Sequence, residues 1–401
     1  MLSSRKWMFV ALAVVALAAI AFLISRGDAL WSSRADGNGI AWDPSLSMPD
    51  AMPTESIPGA SEPEPKIPSV PPDVEELNDD ALESAAKYAG EHGSTALIVR
   101  RHGHLVFERY WQGQSYETLA NSGTFSRVVT ALATGIAISE RKIAAPDAPV
   151  SWYIKEWEND ARGEITIQEL LQSSSGLAAS PVEFPVPGAQ LTKDYLQLQI
   201  ERYPGETWVP GGVDTRILGV VIERATGMRF AQYVSERLWK PIGAGDARII
   251  LDSTNGDARA DCCLAARHGD WMRLAELLVN DGVYQGTEVV PRQWITQMVT
   301  PAKGNPEFGF QVEIGSAKAT RQDGPEPYVT DGVFVLNGGG TGHRLWVIPS
   351  LGIAILRAGA DTTQQQGWVE SRIPNLIIRG ARDFVRKNVS TKDISAIVPG
   401  H

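Results

Sequence analysis

An uninterrupted apolar run, "WMFVALAVVALAAIAFLI" over residues 7–24, follows Arg5 and Lys6. At about 1.5 Å per residue it reaches roughly 27 Å, enough to cross a bilayer core. Basic residues ahead of it keep residues 1–6 cytoplasmic by the positive-inside rule. No small-x-small cleavage site stands beside the run, so an uncleaved anchor over 7–25 is expected rather than a removed signal peptide. The remainder is then exported, as a single-pass protein of a bacterial-type inner membrane. From 26 to 72 no apolar period survives. Pro44, Pro49, Pro53, Pro58, Pro63, Pro65, Pro68, Pro71 and Pro72 alternate with Ser, Glu and Asp, which predicts a semi-extended linker.

Periodicity resumes at 73. Val74, Leu77, Leu82, Ala85, Ala86 and Ala89 fall at helical intervals that stop at Gly90. "TALIVRRHGHLVFERYWQG" gives two apolar runs about a His-Gly-His centre, a hairpin pattern. Val128, Leu132 and Ile136, beside Val129, Ala133 and Ala137, predict a helix apolar on most of its circumference. "ITIQELLQSSSGL" reads as a capped helix ending at Gly176. A loop and two helices follow over 204–244, then helix, turn and helix over 270–298. "RLWVIPSLGIAILRAG" gives two strands, and Val369, Ile373, Leu376, Ile377, Ala381 and Phe384 share one face of a last helix. Strands at both ends with helices between predict an α+β domain over 73–390. An antiparallel sheet is flanked by terminal helices, with an all-helical subdomain at about 140–260 and a tail over 391–401.

Composition narrows the function classes. With 401 residues, 43% of them hydrophobic, the chain can bury a large core. A net charge of −10 without a Lys/Arg cluster excludes a nucleic-acid partner. "NGGGTGHRLWVIP" fits neither a phosphate loop nor the dinucleotide fingerprint, so no cofactor is expected. His102 and His104 lack a carboxylate or Cys at ligand spacing, so no metal is expected. Cys262 and Cys263 are adjacent. Export permits a disulfide, but the strain of a bond between neighbours makes two buried thiols the expectation.

The order of "ALIVRRHGHLVFERYWQG", "VVTALATGIAI", "LLQSSSGL", "PGETW", "ILGVVIERATG", "RLWKPIGA", "DWMRLAELLVNDGVYQG" and "RLWVIPSLGIAILRAG" resembles the serine β-lactamase and penicillin-binding-protein superfamily. It is most similar to the class C-like branch with the aminohexanoate-dimer hydrolases and related esterases, over 73 to about 387. The resemblance implies a β-lactamase-like fold and three motifs that serve an acyl-enzyme. A Ser-x-x-Lys supplies nucleophile and proton acceptor, a Tyr-x-Asn-like loop a second proton carrier, and a Lys/His-Thr-Gly-like strand the opposite wall.

Registered on those motifs, Thr124 takes the serine position and Arg127 the lysine position, in "TFSR". An arginine has no acceptor lone pair and stays charged, so it cannot take the nucleophile's proton. Pro210 falls where the tyrosine would stand, and Gly340, Thr341 and Gly342 fall on the inner strand without the usual Lys or His. An oxyanion hole needs only backbone N–H groups, here those of Thr124 and about Gly340. His343 is a candidate replacement base, and Ser122 and Ser126 are candidate replacement hydroxyls, although no Lys stands three residues beyond either. Ser84-x-x-Lys87 and Ser139-x-x-Lys142 match the pattern at the wrong places and read as chance. The expectation is a weak or non-hydrolytic member that binds a cell-wall peptide or another small carboxylate or amide. The alternatives are an amidase or esterase working through Thr124, Ser122 or Ser126, and an envelope interaction module with no small ligand.

Overall fold

Two antiparallel sheets carry the molecule, and the computed structural model describes them within residues 52–179, 191–318, 326–362 and 365–386. The expected anchor over 7–25 and the tail over 391–401 lie outside the described residues. Among those described, no helix is long and apolar enough to cross a membrane.

The strands are β1 (Thr54–Ile57), β2 (Ser94–Arg101), β3 (His104–Tyr110), β4 (Leu119–Asn121), β5 (Ala247–Ile250), β6 (Leu264–Arg267), the short β7 (Val283–Tyr284) and β8 (Thr287–Glu288), β9 (Glu313–Gly315), β10 (Val333–Asn337), β11 (Arg344–Ile348) and β12 (Ile353–Gly359). The helices are α1 (Asp79–Glu91), α2 (Arg127–Ser139), α3 (Ile167–Leu171), α4 (Leu191–Tyr195), α5 (Val213–Thr226), α6 (Phe230–Val234), α7 (His268–Val279), α8 (Arg292–Met298) and α9 (Arg372–Arg379).

The larger sheet has the order β3-β2-β12-β11-β10-β9. Its central strands β2, β12 and β11 are buried along their whole length because both faces are covered. Leu97, Val99, Ile353 and Ile355 point to α1 and α9, packing with Leu82, Ala85, Ala86, Ala89, Ile373 and Ile377. Ile98, Ala354 and Leu356 point the other way, into the core that holds α2 and α7. Period-two alternation thus splits each strand between two cores. Both terminal helices are present, but α1 starts at Asp79 rather than near Val74, with Asn78 as its N-cap, accepting from the Ala81 N–H at 3.1 Å. The last helix is shorter than its apolar face suggests. It stops before Gly380, where a Cβ would come within 2.5 Å of the Ala81 Cβ of α1.

The smaller sheet, β1-β5-β6-β4, corrects the expected linker. Its last part is not a tether: Thr54 to Ile57 pair antiparallel with β5, Thr54 opposite Ile250. Ile57 and Ile67 are buried, and Glu64 accepts from Arg273 Nη1 and the Tyr284 hydroxyl, both at 2.8 Å. Two isolated isoleucines among prolines, the pairing with β5 and the Glu64 bonds together dock a segment that shows no period. At the other boundary, β5 already occupies 247–250, so the helical subdomain ends before 260.

Every residue of α2 from Val128 to Ala137 is buried, as its all-round apolar pattern requires. The helix packs against α5. Gly135 admits Trp294, whose ring would lie 2.3 Å from a Cβ there. The Trp294 Nε1 donates to the Ala131 carbonyl at 3.0 Å.

Candidate functional site

β4 delivers the chain to the start of α2 through one tight turn. The Asn121 side chain accepts the Gly123 N–H at 3.1 Å, and Gly123 has φ 58. A Cβ at Gly123 would lie 2.3 Å from the Gly338 carbonyl oxygen, so only glycine lets the two backbones approach. Thr124 is therefore pressed against the end of β10. Its hydroxyl donates to the Asn337 carbonyl at 2.9 Å, and its N–H donates to the Gly338 carbonyl at 3.3 Å.

That contact overturns the expected oxyanion hole, because the Thr124 N–H already has a carbonyl partner. It also moves the third motif. β10 ends at Asn337, and Gly339–Thr341 form a 3₁₀ turn rather than inner strand. Gly339 and Gly342 have φ of 60 and 66, which no strand accommodates. Gly340, Thr341 and Gly342 thus cap the wall while the carbonyls of Asn337 and Gly338 face Thr124. Arg357 clamps this turn from behind. Its buried guanidinium donates to the Gly342 carbonyl, to the Ala360 and His92 carbonyls at 2.8 and 2.7 Å, and to Ser94 Oγ at 2.9 Å. Burial and the neighbouring Arg344 lower its pKa to about 10.

Arg127 builds the opposite wall. Its Nε donates to the Asp261 carbonyl at 3.0 Å. The Asp261 carboxylate takes a forked pair from buried Arg259 at 2.9 and 2.7 Å and lies 3.7 Å from Arg216, which pairs with Asp252 at 2.8 Å. Burial alone would raise the Asp261 pKa, but Arg259, Arg216 and Arg127 together hold it at about 2. Asp214 behaves oppositely: burial lifts it to about 6, against the lowering effect of two bonds from Ser175 and the charge of Arg127. The second motif arrives here too, since a Cβ on Gly212 would lie 2.7 Å from Asp261 Oδ2. Pro210 sits exposed on the loop ahead of α5.

The remaining candidates are turned away from this cleft. Ser122 Oγ donates to the Leu264 carbonyl at 2.8 Å and Ser126 Oγ to the Gly123 carbonyl at 2.9 Å, both buried. His343 is buried under the turn, with its ring 6.3 Å from those of Phe125 and His268. Its Nδ1 faces the Thr341 carbonyl, and its Nε2 has no partner among the described residues. Desolvation, with help from His268 and Arg357, lowers its pKa to about 3. His102 and His104 do have a carboxylate: both Nδ1 atoms meet Glu75, at 2.8 and 2.6 Å, from 27 and 29 residues away. Among the described residues no three His, Cys, Asp or Glu side chains converge as metal ligands. Cys262 and Cys263 form a disulfide, not two thiols; the sharp turn that carries Cys263 at φ 68 brings the sulfurs together. Sequence reasoning missed Asp261, Asp214, Asn337 and Arg357. The signal for the first was the close-set Arg259-Ala260-Asp261, a charged pair directly ahead of the apolar Cys262–Ala266.

A family model described as Beta-lactamase matches residues 80–366. The 6-aminohexanoate-dimer hydrolase of Paenarthrobacter ureafaciens is 29% identical over 153 residues, 36% of this chain and 37% of that protein. The matched stretches span less than half the length of the curated relatives. A Bacillus anthracis structure provisionally named a 6-aminohexanoate-dimer hydrolase aligns with a TM-score of 0.71 at 19% identity, covering 88% of this chain and 96% of its own. The octameric penicillin-binding protein homologue of Pyrococcus abyssi aligns at 0.58 and 15% identity, covering 79% and 82%. At such identities the structural likeness speaks for the fold.

Proposed function

Because the chain belongs to the β-lactamase family, we propose that its family site binds the carboxylate or amide end of a cell-wall peptide and does not hydrolyse it. The observation that carries this reading is the double engagement of Thr124 by the carbonyls of Asn337 and Gly338. A hydroxyl whose proton rests on a peptide carbonyl, beside an arginine with no lone pair, has no base to remove that proton. Arg127 keeps the positive charge that a lysine would supply, at the helix end where the backbone dipole adds to it. An anionic ligand gains from both. In this reading the domain stands outside the inner membrane, tethered by the apolar run over 7–24.

Intact-mass spectrometry of the full chain with a penicillin, and separately with a nitrophenyl ester, tests it. The expected result is no acyl adduct, together with a melting temperature raised by a D-alanyl-D-alanine peptide. Thr124→Ser, Arg127→Lys and Pro210→Tyr combined should then gain an adduct. A stoichiometric adduct on Ser122, Thr124 or Ser126 of the native chain would overturn the reading in favour of a hydrolase.

A further inference from the structure

The disulfide between Cys262 and Cys263 lies in a segment laced to the entrance of α2. The Ala260 carbonyl accepts the Thr130 hydroxyl at 2.7 Å, and the Asp261 carbonyl accepts Arg127 Nε at 3.0 Å. The Cys263 N–H donates to the Gly123 carbonyl at 3.1 Å. The Leu264 carbonyl accepts both the N–H and the hydroxyl of Ser122, at 3.1 and 2.8 Å. Residues 260–264 thus hold the four positions, 122, 123, 127 and 130, that set where Thr124 and Arg127 stand. Cys263 sits at φ 68, a left-handed backbone that residues with a Cβ seldom adopt. The small ring closed through the two sulfurs restricts that turn to a narrow set of conformations. A change in the turn bears directly on the Cys263 N–H bond to Gly123 and on the Asp261 carbonyl bond to Arg127.

We propose that Cys262–Cys263 is a thiol–disulfide exchange site through which a dithiol reductant resets the geometry of the Thr124–Arg127 cleft. A thiolate of the reductant attacks one Sγ, the S–S bond breaks, and its electron pair leaves on the other cysteine sulfur, which takes a proton. The second thiol of the reductant then displaces the mixed disulfide. The products are two protein thiols and one oxidised dithiol, and two electrons have passed to the protein. A disulfide oxidant runs the same steps backwards. The cysteines are 6% and 4% exposed, so attack waits on opening of the turn and the exchange is slow. The inference concerns the architecture of the cleft and does not rest on the binding role proposed above.

The test uses the oxidised full chain, treated with dithiothreitol under native conditions. Free thiols are trapped with iodoacetamide and counted by mass, and amide hydrogen exchange is followed in both redox states. The expected result is two trapped cysteines and roughly ten-fold faster exchange at Ser122, Thr124 and Cys263, with α1 and α9 unchanged. A chain that cannot be isolated oxidised, a disulfide that survives prolonged native treatment, or a reduced chain with unaltered exchange over 119–130 would each overturn the proposal. The double variant Cys262→Ser/Cys263→Ser should reproduce the reduced pattern, and an oxidised-like pattern counts against the proposal. If that variant does not fold, reduced wild type alone decides. No ligand enters the readout, so its failure leaves the binding role to its own test.

Discussion

The two walls that meet at Thr124 are made of different material. On the α2 side, buried charge does the holding: Arg127 rests on Asp261, which is fixed by Arg259 and Arg216. On the β10 side the facing groups are peptide carbonyls and glycines, pinned by Arg357 from behind. A wall of paired charges fails abruptly when one partner goes, since the other is left buried and uncompensated. A backbone wall fails when the chain path itself is blocked. The first is sensitive to side-chain chemistry, the second to a single added methyl.

That contrast can be broken at several points. Asp261→Ala removes the carboxylate that takes the forked pair from Arg259 and lies 3.7 Å from Arg216, and should destabilise the fold by about 3–5 kcal/mol in urea unfolding. A loss below about 1 kcal/mol would mean that the charged wall is not held by its pairs. Acid should next weaken the base of the backbone wall. Burial lowers His268 to about 4 from 6.5 and His343 to about 3. Both are neutral in the fold while the unfolded chain takes up protons, so their contribution is full above pH 6.5 and is lost as pH falls towards those values. Replacing His268 by Phe should flatten the acid limb by on the order of 3 kcal/mol, while an unchanged limb would place the acid sensitivity elsewhere. Asp214 works in the opposite sense: its raised pKa of about 6 favours the fold at low pH, an advantage lost as pH rises through that value.

Smaller effects sharpen the picture. Gly123→Ala forces a Cβ towards Gly338 at positive φ and should cost about 2 kcal/mol, read as a shift of the unfolding midpoint at unchanged slope. Thr124→Val removes one hydroxyl donor from Asn337 and should cost about 1 kcal/mol; a neutral result would show that this carbonyl is satisfied without it. At the half-buried Glu75, which serves the exposed His102 and His104, Glu75→Gln should cost about 1 kcal/mol or less at pH 7. A larger loss there would blur the distinction between buried and exposed charge.

Much of this architecture was readable from side chains. The helical spacing of Val128, Leu132 and Ile136 located α2, and the two runs about His102–Gly103–His104 located β2 and β3. "TFSR" drew notice to Thr124 and Arg127, which stand at the start of α2. What escaped has a common cause. The partners of Thr124 are the carbonyls of Asn337 and Gly338, and a carbonyl leaves no mark on residue identity. Strand β1 is four residues long between prolines, too short to show a period of two. The Cys262–Cys263 bond depends on one backbone angle, and adjacency in sequence argues against it until that angle is known.

The pairing of β1 with β5 has a mechanical consequence. Load applied to the chain ahead of Met52 reaches the molecule through the four paired positions of β1 and β5, and β5 passes it to β6 and β6 to β4. β4 ends at Asn121, one short turn from Thr124. Tension on the chain ahead of β1 thus has a hydrogen-bonded route to the turn before Thr124, through β5, β6 and β4, that does not cross the larger sheet.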